Sequence, residues 1–406
     1  MSGRSLVLAA LLAVAANGQT VDELKRQADA LKARGDAAGA LKLMERAASA
    51  DPKSAAIEDE VGFLLAVLQR NAEAKTHFAR AIELDSRYAS AQFHLGVVYW
   101  LEKDPNRAVP LLQTAAALAP EVFDYRLKLG LAFFEVGHYN ESATELQAAT
   151  RIDARNGAAW NSLGLSLQMT DRLDESREAY AKAVELSPDD LLARNRYGFM
   201  LVQSREPEKA LEQFRTVLKT DPKNTEAMIN IGLTYLKTGE YRKAEEQFRT
   251  VVKVDAGSTV GHYNLGLALK QQDDLEAAKK EFLEALRRDH DLPEAHYTLA
   301  MTVWQLGDFD ETVKHTEAAI AQRPDYGQAH YLLGTALKQK GDLDGALKSL
   351  REAARLLPED PGPFNLIGQI LRVRGDFEGS KQAFAEGARI KQQKEAEQAE
   401  TLPRKK

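Results

Sequence analysis

His262, His296 and His330 stand 34 residues apart. Imidazoles at one fixed spacing are the side chains here that could share a metal ion. The spacing argues against it. If each ring sits at the same point of a repeated helical unit, a helix layer separates neighbours, and packed helix axes alone lie roughly 8–10 Å apart. A zinc–nitrogen bond is about 2 Å long. The chain has no cysteine, which removes thiolate metal sites, disulfides and cysteine nucleophiles together. No nucleophile motif, phosphate loop or Gly-rich dinucleotide fingerprint occurs. The 60 acidic and 54 basic residues are interspersed and leave a net charge of −6. That pattern reads as solvated helix surface and supplies no field for nucleic acid or an anionic membrane. The expectation is a protein that is not an enzyme, with no cofactor, no metal and no nucleic-acid partner.

The histidines belong to a longer rhythm. Gly62, Gly96, Gly130, Gly164, Gly198, Gly232 and Gly266 lie 34 residues apart, and the ladder extends to Ala300, Gly334 and Gly368 and back to Ala28. Counted in units of 34 from Val21, this is position 8, and the histidines are at position 4. Position 20 is small throughout, from Ala40 and Ala74 to Ser142, Ser176, Ala278 and Ser380, and position 27 is mostly alanine. Between them runs a bulky column that includes Phe78, Tyr180, Phe214, Phe248, Phe282 and Phe384. Within each unit apolar residues recur at spacings of 3–4, which is helical. A break such as Gly239-Glu240, Gly307-Asp308, Gly341-Asp342 or Gly375-Asp376 separates two such stretches. Glycine ends one helix and the acid suits the start of the next. Asp51-Pro52, Ser187-Pro188 and Asp221-Pro222 stop the second stretch. Pro105 and Pro207 fall where a helix tolerates proline, and Pro110 sits close to a first turn, tolerated or bending. A glycine inside a helix costs roughly 1 kcal/mol, so nine on one ladder need a packing reason: close helix crossing.

These columns resemble the tetratricopeptide repeat (TPR) family. TEAMINIGLTYLKTGEYRKAEEQFRTVVKVDAGS places Gly232, Tyr235, Gly239, Tyr241, Ala244 and Phe248 on the family's signature positions. The resemblance spans residues 21–394 and implies an all-α, right-handed superhelical solenoid. Its eleven stacked helix-turn-helix repeats would start at 21, 55, 89, 123, 157, 191, 225, 259, 293, 327 and 361. Residues 395–406 form a polar C-terminal extension. Departures occur at Gln27 and Ala28, at Glu58 where a large apolar residue is usual, and at Ala300 and Thr316. The family prefers a large aromatic where the three histidines stand.

The resemblance also implies that positions 2, 5, 9, 12 and 13 of each repeat line a concave groove. In repeat three these are Phe93, Val97, Trp100 and Leu101; in repeat four, Leu127, Leu131 and Phe134. Asn161, Leu165 and Met169 follow, then Asn195, Phe199 and Val202. Repeats seven and eight add Ile229, Leu233, Leu236, Tyr263 and Leu267, and repeats nine and ten add Tyr297, Met301, Trp304 and Tyr331. An exposed apolar and aromatic stripe of this length is expected to receive a protein or peptide. Groove cations are few (Lys25, Lys32, Lys237, Lys270, Lys338, Arg372) and no Lys–Asn pair sits at clamp registers, so capture of a C-terminal carboxylate is not expected.

The first twenty residues differ from the rest. Arg4 precedes the eleven-residue apolar run Leu6–Ala16, about 16 Å as a helix and too short for a hydrocarbon core of roughly 30 Å. Charge order and small following residues predict a secretory signal over 1–20. A periplasmic or secreted protein is then expected, cytoplasmic if the signal does not operate, with no membrane span after its removal. Oligomeric state is left open. The leading reading is a partner-binding scaffold in the cell envelope. The alternatives are a substrate-recruiting arm or subunit of a multi-protein enzyme such as a glycosyltransferase, and a module that assembles end to end.

Overall fold

The computed structural model describes residues 19–401. Most of the expected signal, residues 1–18, lies outside the described residues, as do 402–406. The described residues form 22 α-helices and no strand, grouped in two compact units that part between Arg205 and Glu206. The first unit holds α1 (Val21–Ala33), α2 (Ala37–Ala50), α3 (Ala55–Val67), α4 (Asn71–Leu84), α5 (Ala89–Leu101), α6 (Pro105–Leu118), α7 (Phe123–Glu135), α8 (Tyr139–Ile152), α9 (Gly157–Met169), α10 (Leu173–Leu186) and α11 (Leu191–Gln203). The second holds α12 (Pro207–Thr220), α13 (Thr225–Thr238), α14 (Tyr241–Val254), α15 (Thr259–Lys270), α16 (Leu275–Arg288), α17 (Pro293–Gln305), α18 (Phe309–Gln322), α19 (Gly327–Gln339), α20 (Leu343–Leu356), α21 (Pro361–Val373) and α22 (Phe377–Thr401).

The odd-numbered helices, the first of each repeat, begin every 34 residues from Val21 to Pro361. Within each unit every helix packs on its neighbours in the chain, so each unit is a stack, and the buried apolar residues of the first unit form successive local clusters along it. α6 runs unbroken through Pro110, which stands in its second turn.

Local chemistry sets the boundaries. Asp36, Asp104, Asp274, Asp308 and Asp342 cap second helices, and Asn156, Asp190, Asn224, Ser258 and Asp360 cap first ones, each accepting a first-turn backbone N–H. The turn between the two helices of a repeat passes through one left-handed residue at position 15 in all eleven repeats. Six of these are glycines, Gly239 among them at φ 78°. Gln69, Lys103, Asp171, Arg205 and Asp273 adopt φ near 60° there despite their Cβ, a conformation costing an L-residue about 1–2 kcal/mol.

The glycine ladder has a direct steric cause. A Cβ on Gly232 would stand 2.6 Å from the Phe248 ring, and one on Gly334 would stand 2.6 Å from Leu350 Cγ. At these sites position 8 is bare because the bulky side chain at position 24 of the same repeat fills that space, with the position 20 carbonyl behind it, as Ala346 O shows at 3.1 Å from the Gly334 site. Where position 20 is serine its hydroxyl donates to the ladder carbonyl: Ser142 to Gly130 at 2.7 Å, Ser176 to Gly164 at 2.7 Å and Ser380 to Gly368 at 2.8 Å. Repeat nine is the counterpart, with Ala300 on the ladder and Thr316 in the bulky column, both fully buried.

Candidate functional site

First helices of successive repeats lie side by side within each unit. α3 touches α5, α5 touches α7 and α7 touches α9; in the second unit α13 touches α15, α17 touches α19 and α19 touches α21. Their shared seam is built from positions 5 and 12 of one repeat and positions 2, 6 and 9 of the next. Asp59 accepts from Ser90 Oγ at 2.6 Å and meets His94 Nδ1 at 2.9 Å. Arg196 donates to Asn161 at 3.0 Å, and the Tyr263 and Thr298 hydroxyls lie 3.4 Å apart. Lys128 Nζ stands 4.8 Å above the Trp100 ring, and Lys338 donates to Gln369 at 2.6 Å.

The structure places nearly all residues of the expected groove on this face, at two depths. Met169 and Leu233 are exposed. Phe93, Val97, Trp100, Leu127, Leu131, Phe134, Asn161, Leu165 and Phe199 in the first unit are half-buried, as are Ile229, Leu236, Tyr263, Leu267, Tyr297, Met301, Trp304 and Tyr331 in the second. Phe93 packs across the seam, 4.6 Å from the Tyr125 ring, while Phe134 and Trp304 pack on the second helix of their own repeats, 5.1 Å from Tyr139 and 5.0 Å from Phe309. Asn195 is a correction. It is only 1% exposed and offers a partner no surface, as is true of the 4% exposed Asp59 at the same position of repeat two, whereas Asn161 at that position of repeat five is half-buried.

Position-by-position reading missed Phe63, Val67, Leu192 and Val260, all exposed. They stand at positions 9, 13, 2 and 2, so the repeat register alone identifies them. Among the described residues thirteen large apolar side chains are left exposed. Eight of them are first-helix residues at positions 2, 9 or 13, including Leu101 at 63%, Val67 at 53% and Met169 at 49%. The other five, Val122, Leu173, Val254, Leu283 and Phe377, stand in a loop or on second helices.

Position 4 has a different task from an aromatic slot. Its side chain reaches back to the loop before its own helix and donates to the backbone carbonyl six residues earlier. Gln92 bonds Ser86 O at 3.2 Å, Arg126 bonds Pro120 O at 3.1 Å, Trp160 bonds Ala154 O at 3.0 Å and Arg194 bonds Pro188 O at 2.8 Å. His262 and His330 do the same toward Ala256 O at 3.4 Å and Pro324 O at 2.9 Å. Position 4 also faces position 23 on the second helix of its repeat: Glu58 with His77 at 2.7 Å, Arg126 with Glu145 at 2.6 Å and His262 with Glu281 at 2.6 Å. In repeat nine the same pair is His296 and His315, with Nδ1 atoms 3.0 Å apart. His262 and His296 are therefore paired with the second helix of their own repeats, and His330 with the loop before its helix. Among the described residues no group of three or more His, Cys, Asp or Glu is arranged to hold a metal ion.

A model of the tetratricopeptide repeat matches residues 64–123, 127–190, 263–312 and 297–361, more than half of the chain, and a second of the same description matches 201–262. The chain is a tetratricopeptide repeat protein. Such arrays are protein–protein interaction scaffolds, and this TPR protein is one in architecture: an all-α helical repeat solenoid whose first helices carry eight of the thirteen exposed large apolar side chains among the described residues. Solved structures similar to it include YrrB, described as a TPR protein with an unusual peptide-binding site, at 23% identity over 45% of this chain and 95% of that one, with a TM-score of 0.43. MamA is 27% identical over 39% of this chain and 93% of that chain, with a TM-score of 0.38. The Naa15/Naa10 complex bound to HypK-THB matches 90% of this chain and 68% of that chain at 15% identity and a TM-score of 0.44. No match was found among curated proteins. No described helix is long and apolar enough to cross a membrane.

Proposed function

We propose that this TPR protein is a non-enzymatic adaptor that holds a peptide segment of a partner protein against the first-helix face of its repeats, in the cell envelope after export. The observation that carries the reading is the concentration of exposed apolar side chains at three first-helix positions. An extended or helical segment that inserts side chains between Val67, Leu101 and Met169 would remove that surface from water at about 25 cal/mol per Å². The half-buried aromatics beneath are already ordered by the seam, so binding sacrifices little side-chain entropy there. Export is supported by the basic start and the short apolar run of residues 1–16.

Photocrosslinking from Leu101 and Met169 in the native cell tests both parts. The adaptor reading requires the same partner to be captured from both positions, and loss of that capture in L101R/M169R with helicity unchanged. Capture only from second-helix positions such as Leu283 overturns it. The mature N-terminus, determined by mass spectrometry, should follow Ala15 or Gly18, the ends of the Ala-Val-Ala and Ala-Asn-Gly stretches; an intact Met1 in the fractionated protein refutes export.

A second reading has one observation behind it. Val373 and Phe377 at the C-terminal end of the second unit are exposed, and an open apolar end suits end-to-end assembly. Light scattering at rising concentration would then show growth that V373E/F377E abolishes.

A further inference from the structure

We propose that the His296–His315 pair makes repeat nine an acid-labile joint, in which α17 parts from α18 once both rings carry a proton. The inference rests on a comparison inside the chain. The position 4–23 contact is made by an acid and a base in repeats two, four and eight, through Glu58–His77, Arg126–Glu145 and His262–Glu281. Repeat nine puts two bases there, with ring centroids 5.3 Å apart and interplanar angle 30°. An Nδ1···Nδ1 contact of 3.0 Å is a hydrogen bond only while one Nδ1 donates and the other keeps its lone pair. A doubly protonated pair has two donors and no acceptor at that contact, and two like charges facing each other. Protonating the imidazole strengthens the contact in repeats two and eight, and the Arg126 guanidinium of repeat four is always charged; in repeat nine protonation removes the contact.

The surroundings offer little relief. His315 is 5% exposed and sits among the buried hydroxyls Thr312 and Thr316. Glu311 Oε2 lies 3.2 Å from His315 Nε2 but without the alignment of a hydrogen bond. It can balance one imidazolium, not two. Lys314 on the same helix and the His290 ring in the loop before α17 both add positive potential, while a hydrogen bond to the His290 backbone works the other way and favours a protonated His296. From the flanking helices α16 and α19 no ionisable side chain is among the groups acting on the pair. Burial, then the charge of His296, holds His315 at about 4 against the ordinary 6.5, and burial lowers His296 as well. An opened repeat takes up these protons near 6.5 and the closed one only below it. The open form therefore binds more protons in between, and closure weakens as pH falls from 6.5 toward 4. The two rings titrate as a coupled pair. Repeat nine also lacks the bulky residue at position 24, so fewer apolar contacts oppose the opening.

Hydrogen exchange of the full chain, corrected for intrinsic rates, tests this at pH 7.5 and 4.5. Protection of α17 and α18 should fall on the order of 10- to 100-fold. α15 and α16, joined by His262–Glu281, serve as control and should show no comparable loss. H315E, which restores the opposite-charge pair of repeat eight, should flatten the response; H315Q, which cannot titrate, serves if H315E misfolds. Side-chain NMR should find two imidazoles titrating well below the rest. Equal loss of protection in repeats eight and nine, or titration of every ring near 6.5, overturns the proposal.

Discussion

A Cβ placed on Gly266 would lie 2.7 Å from the ring of Phe282, a side chain with no exposed surface. The two residues divide one volume between them, and the period of the chain is the record of that division, made in eight of the repeats from Gly62 to Gly368. G266A should therefore destabilise the second unit by about 1–3 kcal/mol through overpacking, despite alanine's better helix propensity. In an F282L background the same substitution should cost less, and the difference is their coupling energy. At Ala300, opposite Thr316, A300G should instead lose only the propensity term, roughly 1 kcal/mol. Denaturant titration read by exchange at individual helices checks both, since repeat arrays need not unfold in two states.

Gln69 occupies the left-handed turn that Gly239 occupies five repeats later, and it is exposed. Q69G should stabilise the first unit by about 0.5–1 kcal/mol, the relief of a Cβ clash less the entropy glycine adds to the unfolded chain. G239A should destabilise by about 1 kcal/mol. A midpoint that falls in Q69G would contradict the assignment of strain.

Arg126 fastens the loop at Pro120 and pairs with Glu145, and both side chains are largely buried. R126A leaves that carboxylate without its partner and should cost about 1–3 kcal/mol. R126A/E145A should cost less than the sum of the single changes, because the stranded charge is removed with it. A thermal melt of the three variants decides the point.

The groove and the core should respond oppositely to substitution. L101R and M169R change exposed positions and should shift stability by no more than about 0.5 kcal/mol while abolishing partner capture. L112A, at a fully buried position, should cost about 2–5 kcal/mol. Capture that survives both arginine substitutions would remove the first-helix face from the function.

The sequence determined the number of repeats, their phase and the start of every first helix. In a stack, each repeat packs only on its neighbours, so a fixed period in sequence becomes a fixed period in space. It also determined which face stays apolar, and the register that named Phe93 and Tyr263 would have named Phe63 and Val260. Tertiary structure alone decided how deep those side chains sit: Asn195 lies beneath the seam while Met169, on the preceding first helix, reaches water. It alone decided that the three evenly spaced histidines serve as loop latches and cross-helix partners, and that His296 meets another histidine where His262 meets a carboxylate. Spacing fixes the helix a residue is on and the way it faces, but depth and partners depend on the volume and chemistry of the helix laid against it.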